Sequence, residues 1–294
     1  MAETSYRPHQ GKFGIVTGGS RGIGEAISEN LASKGCNLLL VFTSEGSKQR
    51  TQTLCSKLSH EHKIHCSSVQ ADLSEPSQAV PQILSAAQER FKTISSSSPS
   101  ASFQIDILIN NAGIAGNKYL NDTSLGPIES TQFHKQYNVN VLAPLLLTQA
   151  CAPYLPADRS GRIVNVSSVS SSLGCEGQSI YAGTKAALEA MTRVWARELA
   201  ERATVNAINP GPVYGDMYSQ AGKEFWDVNQ KYVDAAPLME YKGGDAKLKD
   251  RVKNGDLAEF DRMVLEDMGG RRPAFTEEIA GVVDVYCLEL DPGD

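Results

Sequence analysis

The feature that most constrains the fold is a glycine-rich turn between a short apolar strand and a helix near the N-terminus. Residues 17–24 read Thr-Gly-Gly-Ser-Arg-Gly-Ile-Gly, which spaces Gly18, Gly22 and Gly24 as G-x-x-x-G-x-G. Glycines permit a tight turn and let a pyrophosphate approach the backbone at the positive end of the following helix. The order strand, turn, helix therefore predicts a nucleotide-binding βαβ unit.

The alternation of apolar strands with helical periods continues along the chain. The run at residues 37–43 is apolar throughout, which is typical of a strand buried on both faces of a parallel sheet. We predict one doubly wound α/β domain of the Rossmann type over residues 1–294, with strand order 3-2-1-4-5-6 and helices on both faces. The predicted strands are 12–17, 37–43, 64–70, 105–110, 162–167 and 205–209, and the predicted helices are 22–34, 47–59, 76–94, 129–154 and 179–202.

Residues 214–272 interrupt this alternation with a long, charged and partly helical segment. We interpret the segment as an insertion that covers a substrate pocket. Its Phe225 and Trp226 suit a substrate lid and local packing about equally. Cys175 is expected in the wall of the same pocket.

Charge and composition exclude several classes of function. The net charge is −6 without a long basic run, which argues against nucleic-acid binding. No stretch approaches the roughly 20 apolar residues of a membrane helix. The polar N-terminus with Pro8 is unlike a signal peptide, and six cysteines without a pairing pattern indicate free thiols in the cytoplasm. The cluster His60, His62, His65 and Cys66 fits no standard zinc spacing, so we predict no metal site.

A second group of motifs indicates acid–base chemistry. Tyr181 and Lys185 are four residues apart, so on a helix they share a face. A cation beside a phenol stabilises the phenolate and lowers the tyrosine pKa towards the working pH. Ser168 lies thirteen residues before Tyr181, just after a predicted strand. Together with Asn-Asn-Ala-Gly at residues 110–113, this order predicts hydride transfer on a carbonyl or an alcohol.

In this ordered set of motifs the chain resembles the short-chain dehydrogenase/reductase family, closely over residues 10–215 and more loosely over 273–290. The resemblance implies that Tyr181 is the general acid in reduction and the general base in oxidation. Lys185 would also hold the nicotinamide ribose, and Ser168, rather than the adjacent Ser167, would hold the substrate oxygen. Asn140 would position a water molecule that links the lysine to solvent, with Asn138 as the weaker alternative.

The same resemblance implies a set of cofactor contacts. They lie in the glycine turn, after the third and fourth strands, in the Tyr-Lys pair and in the turn after the sixth strand. The residues are Gly18, Ser20, Arg21, Gly22, Ile23, Gly24, Thr43, Ser44, Asp72, Leu73, Asn110, Ala112, Gly113, Tyr181, Lys185, Pro210, Gly211 and Val213.

The end of the second strand indicates which dinucleotide is bound. An NAD-binding chain usually has an acid there for the ribose 2′-hydroxyl, whereas residues 42–44 read Phe-Thr-Ser. Arg21 lies in the glycine turn and Lys48 lies a little downstream. Hydroxyl groups with a guanidinium suit a 2′-phosphate, so we predict NADP(H).

Two positions depart from the family pattern. Gly215 stands where the family usually has a threonine that bonds the nicotinamide amide. The chain also ends at Asp294 before the glycine-rich final strand of the family. The seventh strand is therefore predicted to be missing, which would leave the sixth as an exposed edge.

The predicted activity is reversible, NADP(H)-dependent reduction of a ketone or other carbonyl to an alcohol. The amino-acid sequence of residues 198–213 resembles that of fungal members of this family, many of which are 3-oxoacyl or polyketide-type ketoreductases of fatty-acid or secondary metabolism. Alternatives are a dehydratase, isomerase or cyclase on the same fold, or a nucleotide-binding interaction protein. The resemblance also implies a homodimer or homotetramer packed through the helices 129–154 and 179–202.

Overall fold

A parallel sheet forms the centre of the computed structural model, which describes residues 7–95, 102–215, 222–235 and 240–288. Over these ranges the sheet has six strands in the order β3-β2-β1-β4-β5-β6, with every pair parallel. The predicted fold class and strand order are thus confirmed. The strands are β1 Phe13–Thr17, β2 Asn37–Phe42, β3 Cys66–Gln70, β4 Ile107–Asn110, β5 Gly161–Val166 and β6 Ala203–Ile208.

Helices cover both faces of the sheet, because alternate side chains of each central strand point to opposite sides. The helices are α1 Gly22–Ser33, α2 Lys48–His62, α3 Pro76–Ile94, α4 Ser130–Tyr137, α5 Ala143–Cys151, α6 Ser170–Leu173, α7 Ser179–Glu198, α8 Lys223–Ala235, α9 Leu257–Arg262 and α10 Thr276–Cys287. On β2, Leu39 and Val41 join the core that contains Leu147 of α5 and Leu188 of α7. Leu38 and Leu40 join the opposite core, beneath α1, α2 and α10.

The helix predicted at residues 129–154 is not continuous. A π turn, Asn138–Leu142, separates α4 from α5, and the Ala143 N–H bonds the carbonyl of Asn138. Pro144 has no N–H to continue the α-helical pattern, which favours the wider turn at this point. The π turn sets the register that buries the side chain of Asn140.

A buried carboxylate fixes α10 against α1. Asp284 bonds His9 Nε2 at 3.1 Å and the ammonium of Lys34. Burial favours the neutral acid, but the bonds from His9 and Lys34 outweigh it and hold the Asp284 pKa below its usual value. Residues 276–287 therefore return to the sheet even though the long segment before them does not follow its alternation.

The segment after β6 has a small aromatic core of its own, here called the aromatic cluster. It holds Trp226, Tyr241, Leu248, Val252, Phe260, Met263, Val264, Met268 and Phe275. The two ends of the segment meet where the Tyr214 N–H bonds Ala274 O at 2.7 Å. Of the two interpretations of Trp226, the structure shows local packing, since its side chain is buried in this cluster.

No helix in the described ranges combines the length and the apolar character of a membrane-crossing segment.

The glycine turn gives a direct test of the fold. A Cβ at Gly24 would lie 2.2 Å from the Gly18 carbonyl oxygen and 2.5 Å from Asn111 Nδ2. Because one of these neighbours is backbone, Gly24→Ala must displace the turn, and we expect a loss of about 3 kcal/mol in unfolding free energy. Chemical denaturation measures this loss. Gly281→Ala is the matched control, since a Cβ there meets nothing within 4 Å in the middle of α10. That control should gain about 0.5–1 kcal/mol, and equal stabilities of the two variants would contradict the packing described.

Candidate active site

The hydroxyl of Thr17 joins the glycine turn to the loop after β4. Its Oγ1 accepts from the N–H groups of Asn111 and Ala112, each at 3.0 Å, and donates to Ile109 O at 3.2 Å. The Asn111 amide donates back to Thr17 O at 2.9 Å and to Gly18 O at 3.3 Å. Two loops that follow neighbouring parallel strands are thus locked into one surface. Sequence reasoning missed Asn111 and Thr17, although both lie inside the motifs that it used.

Asn110 begins a chain of buried amides across the same edge of the sheet. Its Nδ2 donates to Asn165 Oδ1 at 2.8 Å and to Thr148 Oγ1 at 3.2 Å. Asn165 in turn donates to Thr192 Oγ1 on α7 at 2.8 Å. These bonds fix β4, β5 and α7 relative to one another. A small cavity of about 10 Å³ beside Asn110 is lined in part by Leu73 and Ala112.

The Tyr181 ring and the Lys185 ammonium lie on one face of α7. Lys185 is buried, and its Nζ donates to Val166 O at 2.7 Å and lies 5.6 Å from the centroid of the Tyr181 ring. A Cβ on Gly113 would come within 3.3 Å of the same nitrogen. The structure therefore brings together the Tyr-Lys pair and the loop after β4 that the sequence analysis placed at one site.

Burial shifts the pKa values of both groups. It lowers the pKa of Lys185 to about 8, against the opposing charge of Glu189. It raises the pKa of Tyr181, and a hydrogen bond with Ser168 only partly opposes this. The predicted net direction of the Tyr181 pKa was therefore wrong for the protein by itself, since burial outweighs the groups that favour the phenolate. The ammonium points at the Val166 carbonyl, and desolvation of the phenol dominates.

Ser168 and Ser167 have different partners. The Ser168 hydroxyl interacts with Tyr181 and bonds Ser170, whose N–H donates to it at 3.2 Å. The Ser167 hydroxyl instead donates to Glu189 Oε1 at 2.6 Å. Only Ser168 of the two shares hydrogen bonding with the tyrosine.

Asn140 and Asn138 also differ in their surroundings. Asn140 donates to Ile114 O at 2.8 Å and Thr184 Oγ1 at 3.0 Å, and its Oδ1 accepts from the Ile114 N–H at 2.9 Å. Its side chain thus connects the loop after β4 with α7, beside Lys185. Asn138 donates to Ser74 O at 2.9 Å, which is in the loop after β3.

Part of the set assigned to the dinucleotide lies at the carboxyl ends of β1, β2 and β3, which stand side by side in register. Gly18 and Gly22 have φ values of +63° and +57°, and a Cβ at Gly22 would meet nothing within 4 Å. Ser20 is buried and Ile23 half-buried in the turn, whereas Arg21, Thr43, Ser44 and Asp72 are exposed around it. This open, glycine-lined turn at the start of α1 fits a bound pyrophosphate, with hydroxyls and a guanidinium at its edge. Lys48 forms an ion pair with Glu45 at 2.9 Å, so its charge is partly compensated.

The turn after β6 lies against the loop that carries Ser168, because Val169 N donates to Pro210 O at 3.1 Å. Gly211 is exposed and Val213 is buried, where it bridges to Ala274. A Cβ at Gly215 would meet nothing within 4 Å, so the departure from threonine is not a packing requirement. Residues 216–221 lie outside the described residues.

A polar wall next to Tyr181 was not identified from the sequence. Gln178, one turn before Tyr181, is buried and donates to Asn117 Oδ1 at 3.3 Å, while its Oε1 has no hydrogen-bond partner in the described chain. Beyond it, Lys231 of α8 pairs with Glu176 at 2.7 Å and Tyr232 donates to Gly174 O at 3.0 Å. The spacing of three between Gln178 and Tyr181 was the one available signal. Cys175 is half-buried between these groups.

Within the described ranges, no three His, Cys, Asp or Glu side chains are grouped so that they could hold a metal ion.

Comparisons with known proteins agree with this geometry. An L-xylo-3-hexulose reductase of Hypocrea jecorina is 58% identical over 96% of this chain and 92% of its own length. An L-xylulose reductase of Aspergillus niger is 58% identical over 96% and 93%. The crystal structure of a metagenomic blue fluorescent protein in complex with NADPH superposes with a TM-score of 0.70 at 27% identity, covering 94% of this chain and 90% of that one.

The finer resemblance to 3-oxoacyl ketoreductases is weaker. A 3-oxoacyl-[acyl-carrier-protein] reductase of Aquifex aeolicus is 35% identical over 79% of this chain.

The family described as short chain dehydrogenase matches residues 12–225, which is most of the chain and contains every motif discussed above. The fold, the assembled motifs and these matches lead to one conclusion: the chain belongs to the short-chain dehydrogenase/reductase family.

Proposed function

We propose that the protein is an NADP(H)-dependent reductase that converts a ketose to a polyol, reversibly. The observation that carries the proposal is the convergence of Tyr181, Lys185 and Ser168 beside the loop after β4, which Thr17 joins to the glycine turn. The two relatives that share 58% identity are both named as reductases of ketoses.

The glycine turn would hold NADP(H), Arg21, Thr43 and Ser44 would bind its 2′-phosphate, and the loops after β3, β4 and β6 would contact the rest. When bound, it supplies or accepts the hydride. The openness of the turn at Gly22 and the lack of an acid at positions 42–44 support the phosphorylated dinucleotide, as does the NADPH complex of a structural neighbour.

Three side chains manage the substrate oxygen and its proton. Ser168 holds the carbonyl oxygen by a hydrogen bond, and Tyr181 donates its proton to that oxygen as the alcohol forms. The raised pKa of Tyr181 keeps the phenol protonated at neutral pH and ready to act as an acid. The Lys185 ammonium stabilises the phenolate that remains, and Asn140 holds the loop after β4 against α7 beside it.

The polar wall favours a hydroxylated substrate over an acyl chain. A buried acceptor without a partner, such as Gln178 Oε1, costs stability unless a ligand donates to it. The hydroxyl groups of a ketose are such donors. A 3-oxoacyl substrate in fatty-acid or polyketide metabolism is the second candidate, supported by the relative at 35% identity.

The remaining assignments follow from the family and from the described residues. We propose that residues 1–294 form one domain, in which residues 214–272 cover the substrate through the contacts of α8 with Gly174 and Glu176. Exposed Phe133 and Leu142 near α4 and Val194 on α7 support a homodimer or homotetramer. The six cysteines are free thiols, which supports a cytoplasmic location.

Replacement of the tyrosine tests the function directly. We expect the wild-type protein to oxidise NADPH in proportion to added L-xylulose, followed at 340 nm. Tyr181→Phe removes the acid and should lower kcat by about 10²–10⁴. NADPH binding, followed by its fluorescence, should persist. Binding without oxidation across ketoses and β-ketoacyl thioesters in the wild type would instead support a non-redox enzyme or an interaction protein.

Gln178→Leu tests the substrate class. The change removes the acceptor and nearly preserves volume, so kcat/KM for L-xylulose should fall about tenfold or more, while 2-pentanone should be affected little. Gln52→Leu, at an exposed position of α2, is the matched control. An equal loss of kcat/KM for both substrates would show that Gln178 stabilises the structure and does not select the substrate.

The pH dependence of reduction tests the role of Lys185. The proposed reduction needs the charged form of Lys185, and burial lowers the pKa of this lysine to about 8. The kcat/KM for reduction should therefore decline as pH rises through about 8, whereas an unshifted lysine would sustain activity for about two further pH units. Lys185→Arg carries a charge that does not titrate in this range. Whatever its absolute activity, this variant should lose the alkaline decline of kcat/KM. An unchanged decline in the variant would show that another group, not Lys185, causes it.

A further inference from the structure

Glu189 holds two loops of the active site with one carboxylate oxygen. It lies on α7, one helical turn after Lys185, and its Oε1 accepts from Ser167 Oγ at 2.6 Å and from Asn209 Nδ2 at 2.5 Å. Ser167 directly follows β5 and Asn209 directly follows β6. The carboxylate therefore joins the ends of two strands to the helix that carries Tyr181 and Lys185.

Both loops carry groups that act at the site. Ser167 immediately precedes Ser168, and Asn209 immediately precedes the turn at Pro210. The two loops also bond each other: Asn209 Nδ2 lies 3.3 Å from Ser168 O, and Val169 N donates to Pro210 O at 3.1 Å. Movement of either loop would shift Ser168 relative to Tyr181, and also the surface on which the nicotinamide end of the dinucleotide rests.

The position of β6 explains why such a link matters. Over the described ranges β6 is the last strand of the sheet on its side. A groove of about 330 Å³ runs beside it. Residues of α7, of β6 and of the loop after β6 line this groove, among them Glu189, Arg193 and Asn209. With solvent in this groove, the start of the loop after β6, at Asn209 and Pro210, is held by bonds that it makes inward, to α7 and to the loop after β5. Its later part bonds Ala274 instead, through Pro212 and Tyr214.

Glu189 also remains charged at neutral pH. Partial burial favours its neutral form, but hydrogen bonds from Ser167, Ser171 and Asn209 and the nearby charge of Arg193 hold its pKa below the usual value. Its negative charge in turn opposes the effect of burial on Lys185. The link is therefore both mechanical and electrostatic.

We propose that Glu189 is a positioning residue of the reductase, which holds Ser168 and the turn at Pro210 in register with Tyr181 and Lys185. The inference rests on the roles given to those residues under Proposed function. It adds a residue that lies outside every motif used above and that acts through the two loops.

The charged and titratable groups around Lys185 determine its pKa, which the pH profile measures. On α7 they are Tyr181 and Glu189, with Arg193 beside the carboxylate. From α4 the Tyr137 hydroxyl faces Gly183, where a Cβ would lie 3.0 Å from it. The groups contributed by β5 and by the π turn are neutral, namely the Val166 carbonyl and the Asn140 amide.

Three variants of Glu189 separate position from charge. Glu189→Ala removes the link, Glu189→Gln keeps an oxygen that can accept both bonds, and Glu189→Asp keeps the charge on a shorter side chain. Glu198→Ala and Glu198→Gln, at an exposed position on the same helix, are the matched controls. The readouts are kcat and KM for L-xylulose, the pH profile, NADPH binding by fluorescence, and amide hydrogen exchange of residues 167–171 and 209–213.

For Glu189→Ala we expect kcat/KM to fall on the order of tenfold, chiefly in kcat, with faster exchange in both loops. NADPH should bind several-fold more weakly. Glu189→Gln should keep NADPH affinity within about twofold of the wild type, but its alkaline decline should move to lower pH because a charge that favours the ammonium is gone. Glu189→Asp should keep the wild-type position of that decline.

The proposal is overturned if Glu189→Ala matches Glu198→Ala in kcat/KM and in loop exchange. It is equally overturned if Glu189→Ala lowers only the melting temperature while the folded enzyme keeps its kcat/KM. If Glu189→Ala does not fold, Glu189→Asp decides, because its shorter side chain cannot keep both bonds at their present lengths. Wild-type kcat/KM together with wild-type loop exchange in that variant rejects the proposal. If the wild type reduces no substrate, the proposed function fails, and NADPH binding and loop exchange still test the positioning role.

Discussion

The burial of the Lys185 ammonium is the constraint on which the site depends. A cation taken out of water is costly unless polar groups replace its hydration, and here the Val166 carbonyl at the end of β5 is one such group. That bond requires α7 to cross the sheet at this point. The close approach of Gly113, where a Cβ would lie 3.3 Å from Nζ, favours a glycine there. The lysine thus lies between α7, which carries Tyr181, and the loop after β4.

The surrounding polar residues make this arrangement rigid. Thr17 binds the glycine turn to the loop after β4, Asn110 and Asn165 bind β4 to β5 and α7, and Asn140 binds that same loop to α7. Buried polar networks add order when their members find partners, because an unpaired member carries a large penalty. The site is therefore organised before any ligand arrives, which is what electrostatic stabilisation of a developing charge requires.

The sequence predicted most of the fold because the evidence for it is local. Apolar runs, helical periods and the glycine turn each lie within one continuous stretch of the chain, and their succession predicts six strands and their order. The spacing of Tyr181 and Lys185 likewise follows from helix geometry alone. Sequence reasoning could bring these two residues together, but it could not give the direction of the tyrosine pKa, which depends on how deeply the fold buries the phenol.

The features that were missed depend on tertiary contact. The π turn at Asn138–Leu142 had a local signal in Pro144, but its consequence, the inward placement of Asn140, depends on the packing of α4 against α7. Glu189 and Asn209 are 20 residues apart and belong to no motif, and only the adjacency of β5, β6 and α7 makes them partners. Residues 214–272 interrupt the alternation of strands and helices because the buried side chains described there form a small aromatic cluster that does not line a sheet face.

The substrate class under the proposed function depends on the groups around the Tyr181–Lys185 pair. In the proposed reaction Ser168, Tyr181 and Lys185 contact only the carbonyl oxygen, so the choice among carbonyl compounds falls to the surrounding side chains. Those groups are polar: Gln178 has an acceptor without a partner in the described chain, and Glu176 and Lys231 form an exposed ion pair where α8 meets the loop before α7. An acyl chain would desolvate such groups without replacing their hydrogen bonds, whereas a polyhydroxylated ketone can bond them. The proposal of a ketose therefore rests on the loops around the tyrosine and not on the fold, which many different activities share.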